Sequence, residues 1–524
     1  MVIGRLDGNM IDSTPYRERT LGLVDRGIGG FIIFGGQDHS LRQFIGECQG
    51  RCRTTLFFAS DVERGVGQQI IGTTMFPCQM AVAAAVRRDT EGDVMLLRQA
   101  IEAIVLECID IGINMPLIPV LDVNRNPFNP IICTRAFSDD PHTVSWLGRL
   151  YVETIEQAGI VCCVKHFPGH GDTATDSHIS LPIISKSCEE LYDIDIVPFT
   201  EAIKTGVGGV MIGHLSVPCI DETPATLSHR IVTEILRQRY TFDGLIITDA
   251  LNMDALKSMD NVAARCVKAG VDVLLHPIDA DTIVDELTSA LRDGIIEETQ
   301  VDLAFKRILS VKERLNLRHR AIINPKRHTW LSEQLTERSI TLVKGKGEIF
   351  PLPWQSRLII VGEDKPCEAS PLLTHFDKCT NLKELSPPSD LSHSAVVIAV
   401  FTSVKAWRGN SGLIQDEIDL INGIIRGCHH CVVISFGSPY ILDNFEAADI
   451  LIAAYEESLH AQLSVIKCLR GEMAFSGHLP VTLRASQEGK RQEGGGKKGA
   501  APLLYRSRTL LAPFRTPCKG SRTP

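Results

Sequence analysis

The feature that most constrains the fold is a series of short apolar runs, separated by segments of helical character, over the first 277 residues. Eight such runs occur, at residues 2–3, 30–34, 55–59, 113–120, 161–164, 209–212, 245–248 and 271–275. Their nearly continuous apolar character is typical of parallel strands that are buried on both faces. Eight strands alternating with helices predict a TIM-like (β/α)8 barrel, an α/β fold in which the carboxyl ends of all strands meet at one face.

Polar side chains occur at the same place after most of these runs, just past the carboxyl end of each predicted strand. Carboxylates, imidazoles and cations come just after the third to eighth runs, at Asp61, Asp122, Arg135, Lys165, His166, His214, Asp249 and His276. Barrel enzymes hold their active sites at the carboxyl ends of the strands, so the position of these side chains predicts a pocket at that face. The densest segment is KHFPGHGDTATDSH, residues 165–178, which has no aliphatic side chain larger than alanine. We interpret this loop as one wall of the pocket.

A second α/β unit follows a polar connector that contains proline. Its strand-like runs are residues 357–362, 395–401, 431–436 and 449–454, with helical segments between them, and they predict a smaller αβα sandwich. The expected domains are the barrel at 1–325, a linker and helix at 326–338, the sandwich at 339–485 and a tail at 486–524. The tail is rich in glycine, lysine and arginine, so we expect it to be disordered.

Composition and charge narrow the classes of function. A chain of 524 residues is too long for one hydrophobic core, which agrees with two domains. The net charge is −9 and no basic stripe interleaved with aromatic residues occurs in the body of the chain, so a nucleic-acid partner is not expected. No apolar run reaches the ~18 residues that a membrane helix needs, and no secretory signal is visible at the start. We therefore expect a cytoplasmic protein without a membrane partner.

The cysteines do not indicate a disulfide framework. Most of the 16 lie in apolar segments, where a thiol behaves as a small hydrophobic group, and this fits a reducing compartment. The segment Cys428-His429-His430-Cys431 has metal-like spacing, but zinc needs four ligands and no second pair stands nearby. We interpret this segment as a helix end that runs into a buried strand. The second domain also lacks a glycine-rich phosphate loop, which gives nucleotide binding little support. We expect no cofactor and no metal.

Four longer segments together resemble the two-domain β-N-acetylhexosaminidases of glycoside hydrolase family 3. They are SDVERG at 60–65, PVLDVNRNPFNPIICTRAFSDDP at 119–141, KHFPGHGDTATDSHISLP at 165–182 and GLIITDALNMDAL at 244–256. The similarity is dense from residue 27 to 277 and continues more weakly to SGHLPVTL at 476–483. Two features depart from the family: the chain begins almost inside the first strand, and the tail has no counterpart.

The resemblance implies a retaining glycosidase that removes terminal β-linked N-acetylglucosamine from a small muropeptide or chitin-type oligosaccharide. Such a reaction suits the recycling of cell wall, and it needs a nucleophile and an acid/base group. Asp249 follows four apolar residues, which suits a rigidly aimed carboxylate, although the residues alone leave open a role as a helix cap. The resemblance implies that Asp249 is the nucleophile.

The second catalytic group is implied to be a histidine rather than a carboxylate. The resemblance assigns the acid/base role to His178 in the fifth loop, with Asp176 two residues before it. In an extended segment residues i and i+2 point the same way, so Asp176 can accept the Nδ1–H of His178 and fix its tautomer. Taken alone, an Asp-Ser-His tripeptide is more often a turn on the surface.

Sugar recognition is implied for four more residues. Asp61 would hold hydroxyl groups at the far end of the ring, and Arg135, Lys165 and His166 would form a polar clamp around the sugar. Each of these residues could instead belong to a structural ion pair, as Arg135 could with Asp139 or Asp140.

Two other reactions stay open. Phosphorolysis of the same bond is one, because a neutral histidine repels incoming phosphate less than a carboxylate does. The other alternative is a metal-dependent amidohydrolase on a barrel, although such a site requires a His-x-His pair on an early strand and the sequence has none there. The sequence indicates no oligomeric state.

Overall fold

The computed structural model describes residues 1–177, 179–315, 322–345, 350–352, 356–362, 370–384, 395–402 and 412–484. The expected α/β architecture is confirmed, since a curled parallel sheet of eight strands is followed by a six-stranded sheet. His178 and the tail at 486–524 lie outside the described residues.

The first sheet closes on itself. Its strands are β1 Val2–Asp7, β2 Gly30–Phe34, β3 Phe57–Ser60, β4 Met115–Pro116, β5 Cys163–Phe167, β6 Gly209–Ile212, β7 Leu245–Thr248 and β8 Leu274–Leu275. They pair in parallel in the orders β4-β3-β2-β1-β8 and β5-β6-β7. Single bridges, Val120 to Lys165 and Ile247 to Val273, join the two groups at both edges. The carboxyl ends of all eight strands therefore surround one opening.

Helices cover the outside of the barrel. They are α1 Thr14–Asp25, α2 Asp38–Gly50, α4 Glu91–Ile111, α5 Pro141–Gln157, α6 Cys188–Glu190, α7 Val197–Thr205, α8 Val262–Ala269, α9 Ala280–Arg292 and α10 Glu298–Arg314, whereas the buried helix α3 Gln79–Ala85 packs between the barrel and the second domain. Two π-helical segments, Leu191–Asp195 and Arg230–Arg239, complete this layer. Among the described residues, no helix has both the length and the apolar character needed to cross a bilayer.

The strands agree with the predicted runs where the chain is continuously apolar. β2, β6 and β7 have the predicted bounds. β4 is much shorter than predicted, because Pro116 and Pro119 lack the N–H groups that a longer ladder needs. The side chain of Asn114 takes over part of this pairing: its Oδ1 accepts from Phe58 N at 2.8 Å and its Nδ2 donates to Leu56 O at 2.8 Å.

The second sheet has the order β11-β10-β12-β13-β14-β9. Its strands are β9 Thr341–Lys344, β10 Arg357–Val361, β11 Lys378–Asn381, β12 Ala395–Thr402, β13 His430–Gly437 and β14 Ile450–Ala453. The remaining helices are α11 Pro325–Ser339, α12 Ser370–His375, α13 Gln415–Gly427 and α14 Leu459–Leu469. Only β9 runs antiparallel among the described pairs. Because α13 ends at Gly427 and β13 begins at His430, the interpretation of the Cys428–Cys431 segment as a helix end entering a strand is confirmed.

The two sheets are joined by contacts close to the barrel opening. Arg64 Nη2 lies 2.6 Å from Glu456 Oε2, and the same oxygen accepts from Cys78 N at 3.1 Å. Tyr440 Oη donates to Asn124 O at 2.9 Å, and Asn124 Nδ2 donates to Tyr440 Oη at 3.1 Å. Since Arg64 and Asn124 follow β3 and β4, these contacts place the second domain beside the carboxyl ends of the barrel strands.

Candidate active site

A cavity of ≈ 560 Å³ opens at the carboxyl ends of the barrel strands. Five predicted site residues line it: Asp61, Arg135, Lys165, His166 and Asp249. The second domain forms another part of the wall through Thr402, Phe436, Gly437, Tyr455, Glu456 and Glu457. The barrel supplies the floor and the second domain supplies one side, so the cavity depends on both.

A chain of alternating charges crosses the floor of the cavity. Lys165 Nζ lies 2.6 Å from Asp61 Oδ1 and 2.7 Å from Glu63 Oε1. Arg135 holds Glu63 with two parallel hydrogen bonds, from Nε to Oε2 at 2.9 Å and from Nη2 to Oε1 at 2.8 Å. A fork of this kind fixes the planes of both groups. The Lys165 side chain is only 2% exposed, so its ammonium is aimed by its two carboxylate partners.

These contacts keep the groups ionised although they are buried. Burial alone would raise the pKa of Glu63, but Arg135 and Lys165 hold that pKa well below its usual range. Burial would likewise lower the pKa of Lys165, and the carboxylates of Asp61 and Glu63 raise it above its usual value instead. Glu63 and Lys165 therefore stay charged near neutral pH and present fixed charges to a ligand.

Two histidines are held by one buried carboxylate. His166 Nδ1 lies 2.7 Å from Asp122 Oδ2, and His170 N donates to Asp122 Oδ1 at 2.7 Å. Because an ionised carboxylate only accepts hydrogen bonds, Nδ1 of His166 carries a proton and Nε2 is left for the cavity. Burial alone would raise the pKa of Asp122, but the neighbouring His166 ring and the hydrogen bonds from His166 and His170 hold that pKa below its usual value.

Asp249 stands directly after β7, at the floor of the cavity. Its backbone N donates to Ile212 O at 3.0 Å, and its Oδ1 accepts from Ala250 N at 2.8 Å. The next α-helix begins only at Val262, so the alternative that Asp249 caps a following α-helix is wrong. His214 Nε2 lies 3.1 Å from Ala250 O, which braces the segment that carries Asp249.

The fifth loop brings its predicted residues against the barrel. Asp176 is 1% exposed and Ser177 is 2% exposed, so an exposed surface turn is wrong for these two residues. The carbonyl of Asp176 accepts from Ile179 N at 2.9 Å and from Ser180 N at 3.2 Å. His178 itself lies outside the described residues, and the acid/base roles of His178 and Asp176 stay predictions.

Two residues of the site were missed by the sequence reasoning. Glu63 joins Arg135 to Lys165, whereas the sequence suggests Asp139 or Asp140 as a partner of Arg135. That alternative is wrong, because Asp140 instead caps α5 by accepting from Thr143 N at 2.8 Å and Asp139 accepts from Thr482 N at 2.7 Å. Glu63 follows Asp61 by two residues in SDVERG, which is the signal that could have found it.

Asp122 is the second missed residue. It follows the fourth run of apolar residues, and the sequence pattern indicates no role for it; in the structure it accepts hydrogen bonds from His166 and His170. Among the residues that the structure describes, no group of three or more histidine, cysteine, aspartate or glutamate side chains is arranged to hold a metal ion.

The buried His170 predicts how stability depends on pH. Burial, and then the nearby His166, lowers the pKa of His170 from 6.5 to about 4, although Asp122 raises it. The unfolded chain therefore takes up this proton first, so stability is full above pH 6.5 and is lost as the pH falls towards 4. We expect His170 to account for roughly 3 kcal/mol of that loss in the free energy of unfolding.

Urea denaturation of the wild type and a His170→Gln variant at pH 7 and pH 4.5 measures this contribution. Glutamine can keep hydrogen bonds to Thr173 and Ser177, but it has no proton to gain in this range. The loss of stability in acid should be smaller in His170→Gln than in the wild type. His39→Gln, at an exposed histidine, serves as the matched control. An unchanged acid loss in His170→Gln would contradict the prediction.

The comparisons with known proteins agree with this geometry. Residues 8–311 match the model of the glycosyl hydrolase family 3 N-terminal domain. The chain is 30% identical to "Beta-hexosaminidase A" of Pseudoalteromonas piscicida, over 87% of this chain and 89% of the relative. It is 26% identical to "Beta-N-acetylglucosaminidase/beta-glucosidase" of Cellulomonas fimi, over 88% of this chain and 90% of the relative.

A solved structure extends the similarity to both domains. The glycoside hydrolase family 3 β-N-acetylglucosaminidase of Paenibacillus sp. str. FPU-7 superposes with a TM-score of 0.78 at 27% identity, covering 92% of this chain and 97% of that one. The family match spans more than half of the chain and covers the barrel residues that line the cavity, except Arg5. The chain therefore belongs to glycoside hydrolase family 3 and is a glycosidase.

Proposed function

We propose that the protein is a retaining β-N-acetylhexosaminidase that releases terminal β-linked N-acetylglucosamine through a covalent glycosyl-enzyme. The observation that carries this proposal is the meeting of Asp249 with the Asp61–Lys165 pair in one cavity. A carboxylate held by backbone contacts can attack the anomeric carbon, while the charged pair holds hydroxyl groups of the same ring. The names of the relatives support an N-acetylhexosamine as the sugar.

The charged floor has donors left for a sugar. Lys165 has three N–H groups and uses two on Asp61 and Glu63, so one remains for a hydroxyl group. Asp61 accepts from Lys165 with Oδ1, which leaves Oδ2 able to accept from a hydroxyl group. His166, with its tautomer fixed by Asp122, offers Nε2. Arg135 lies behind Glu63, and we assign it to holding this network as well as to lining the cavity.

The proposed reaction has two steps. An oxygen of Asp249 bonds to the anomeric carbon as the bond to the leaving oxygen breaks, and His178 gives that oxygen its proton. Water then attacks the same carbon, His178 takes a proton from the water, and the ester to Asp249 is broken. Two inversions at one carbon give net retention. Asp176 would orient His178 throughout.

For the leaving group we propose a muropeptide or a short chitin-type oligosaccharide. The second domain lines part of the cavity, and in this proposal that part contacts the leaving sugar. N-acetylglucosaminyl-anhydromuramic acid and chitobiose, assayed in parallel, decide between the two classes by their kcat/KM values.

Proton NMR of the first product tests the stereochemistry. The proposal expects β-N-acetylglucosamine before mutarotation, and initial formation of the α-anomer would contradict it. The same assay in phosphate buffer separates hydrolysis from phosphorolysis. A sugar 1-phosphate as the main product would replace hydrolysis with phosphorolysis, and loss of activity to a chelator would favour the metal-dependent alternative.

A further inference from the structure

The loop that connects β5 to α6 is closed by the ion pairs of one lysine, which lies outside the cavity wall. Lys186, near the end of this loop, donates from Nζ to Asp195 Oδ2 at 2.6 Å and also pairs with Asp172 near its beginning. The Lys186 side chain is 10% exposed and that of Asp195 is 2% exposed. We call the part of the loop that carries Asp172 the first arm, and the part that carries Lys186 and leads into α6 the second arm. The Lys186 ammonium group therefore joins the two arms to each other and to Asp195.

Asp195, which binds Lys186, is itself held in place by the fold. It is the last residue of the π-helical segment Leu191–Asp195, which packs beside α7. The backbone at Gly169, with φ +131°, runs so close that an added Cβ would lie 2.6 Å from the Asp195 Cβ. The first arm of the loop is thus in contact with Asp195 even before Lys186 is considered.

The second arm is held by backbone hydrogen bonds to the loop after β6. Ser216 N donates to Pro182 O at 2.8 Å, and Ile184 N donates to Ser216 O at 2.9 Å. These bonds fix the residues just before Lys186, but they do not reach Asp172. Among the described contacts, the ion pairs of Lys186 are the direct side-chain link between the two arms.

The link depends on the positive charge. Burial raises the pKa of Asp195 to about 6 even beside Lys186. The two carboxylates in turn raise the pKa of Lys186, against the effect of burial. If the ammonium were removed, the buried Asp195 would favour its neutral form and Asp172 would lose its partner. The first arm would then lose its link to the second arm, although it would keep its hydrogen bonds to the segment after β4, such as those of His170 with Asp122 and of Thr173 with Asn126.

We propose that Lys186 is a positioning residue that fixes the segment carrying Asp176 over the floor of the cavity. This inference rests on the proposed function, in which that segment transfers the proton. A displacement of about 1 Å in a catalytic group can cost as much as about 100-fold in rate. Since Lys186 lines no part of the cavity, its effect would act through the loop rather than on the sugar.

The test is Lys186→Met, assayed with two kinds of leaving group. With chitobiose, which needs a proton on the leaving oxygen, we expect kcat to fall roughly 10- to 100-fold. With the p-nitrophenyl glycoside, which needs little proton donation, we expect a loss below about 3-fold in the rate of glycosyl-enzyme formation, read from kcat/KM. KM for chitobiose should change little, because the floor residues are untouched.

Three further variants separate positioning from general damage. Lys186→Arg keeps the charge and should recover most of the chitobiose rate. Asp172→Asn removes the partner on the first arm and should give a smaller version of the same pattern. Lys204→Met makes the same substitution at a lysine of α7 whose side chain is 69% exposed, and it should behave as the wild type.

Equal losses on both substrates, or no loss in a folded Lys186→Met protein, would overturn the proposal. If Lys186→Met does not fold, the leaving-group pattern of Asp172→Asn decides in its place. The His178→Ala variant distinguishes the two levels of inference. If His178→Ala shows the leaving-group effect and Lys186→Met does not, only the positioning role of Lys186 is wrong. If His178→Ala shows no leaving-group effect, the proposed proton transfer by His178 is wrong.

Discussion

Asp249→Asn is expected to abolish turnover and leave the fold intact. A neutral amide cannot form the glycosyl-enzyme ester, and by analogy with the removal of other catalytic groups the rate should fall at least ~10⁴-fold. The amide oxygen can still accept from Ala250 N, as Oδ1 of Asp249 does, so the melting temperature should stay close to that of the wild type. Steady-state kinetics with the p-nitrophenyl glycoside and a thermal melt measure both quantities.

Asp254→Asn provides the matched control, because it makes the same change at an exposed aspartate of the same segment. That variant should keep full activity. A slowly released fluoro-sugar should label the wild type on the peptide that contains Asp249, and the label should be absent from Asp249→Asn. Near-normal turnover in Asp249→Asn, or a label on another carboxylate, would remove the nucleophile assignment.

The sequence predicts the barrel strands well where an unbroken apolar run is enough to specify a buried strand. β2, β6 and β7 were found because their apolar runs are unbroken and are flanked by polar turns. β4 was overestimated because prolines interrupt its backbone pairing. β9 and β11 were missed because both lie at edges of the second sheet, and β11, with the sequence KCTN, has little apolar character to reveal it.

The site was predictable to a similar extent and for a similar reason. Asp61 and Asp249 directly follow the ends of β3 and β7. Lys165 and His166, which the pattern places just after the fifth strand, lie within the last three residues of β5. The carboxyl ends of the strands therefore bring all four residues to the same face of the barrel. Pairing between distant residues follows no such rule. Arg135 has charged residues close to it in sequence, but its partner Glu63 lies 72 residues away and is chosen by the three-dimensional fold.

The wall from the second domain was the least predictable part. Glu456 pairs with Arg64 across 392 residues of sequence, and no local pattern in either segment indicates the contact. Its side chain is only 6% exposed, so the pair is part of the domain interface rather than a surface contact. The shape of the cavity beside the second domain therefore follows from the packing of two domains, which the sequence pattern alone does not specify.

His178→Ala is expected to lose activity according to the leaving group. With chitobiose, proton donation to the leaving oxygen is essential, and kcat/KM should fall roughly 10²- to 10⁴-fold. With a p-nitrophenolate leaving group, donation matters little, so the loss in kcat/KM should be below about 10-fold. Asp176→Ala should give a smaller version of this pattern, because the imidazole remains but loses the carboxylate that fixes its tautomer.

Azide tests the second half of the reaction in the same variant. Removing the general base slows attack by water on the glycosyl-enzyme, whereas a small anion needs no base and can attack directly. Added azide should therefore raise the turnover of His178→Ala on the p-nitrophenyl glycoside and yield a β-glycosyl azide, with no such product from Asp249→Asn. His142→Ala, at an exposed histidine outside the cavity, should show neither effect. Equal losses on both substrates without azide rescue would show that His178 binds or braces and that another group carries the proton.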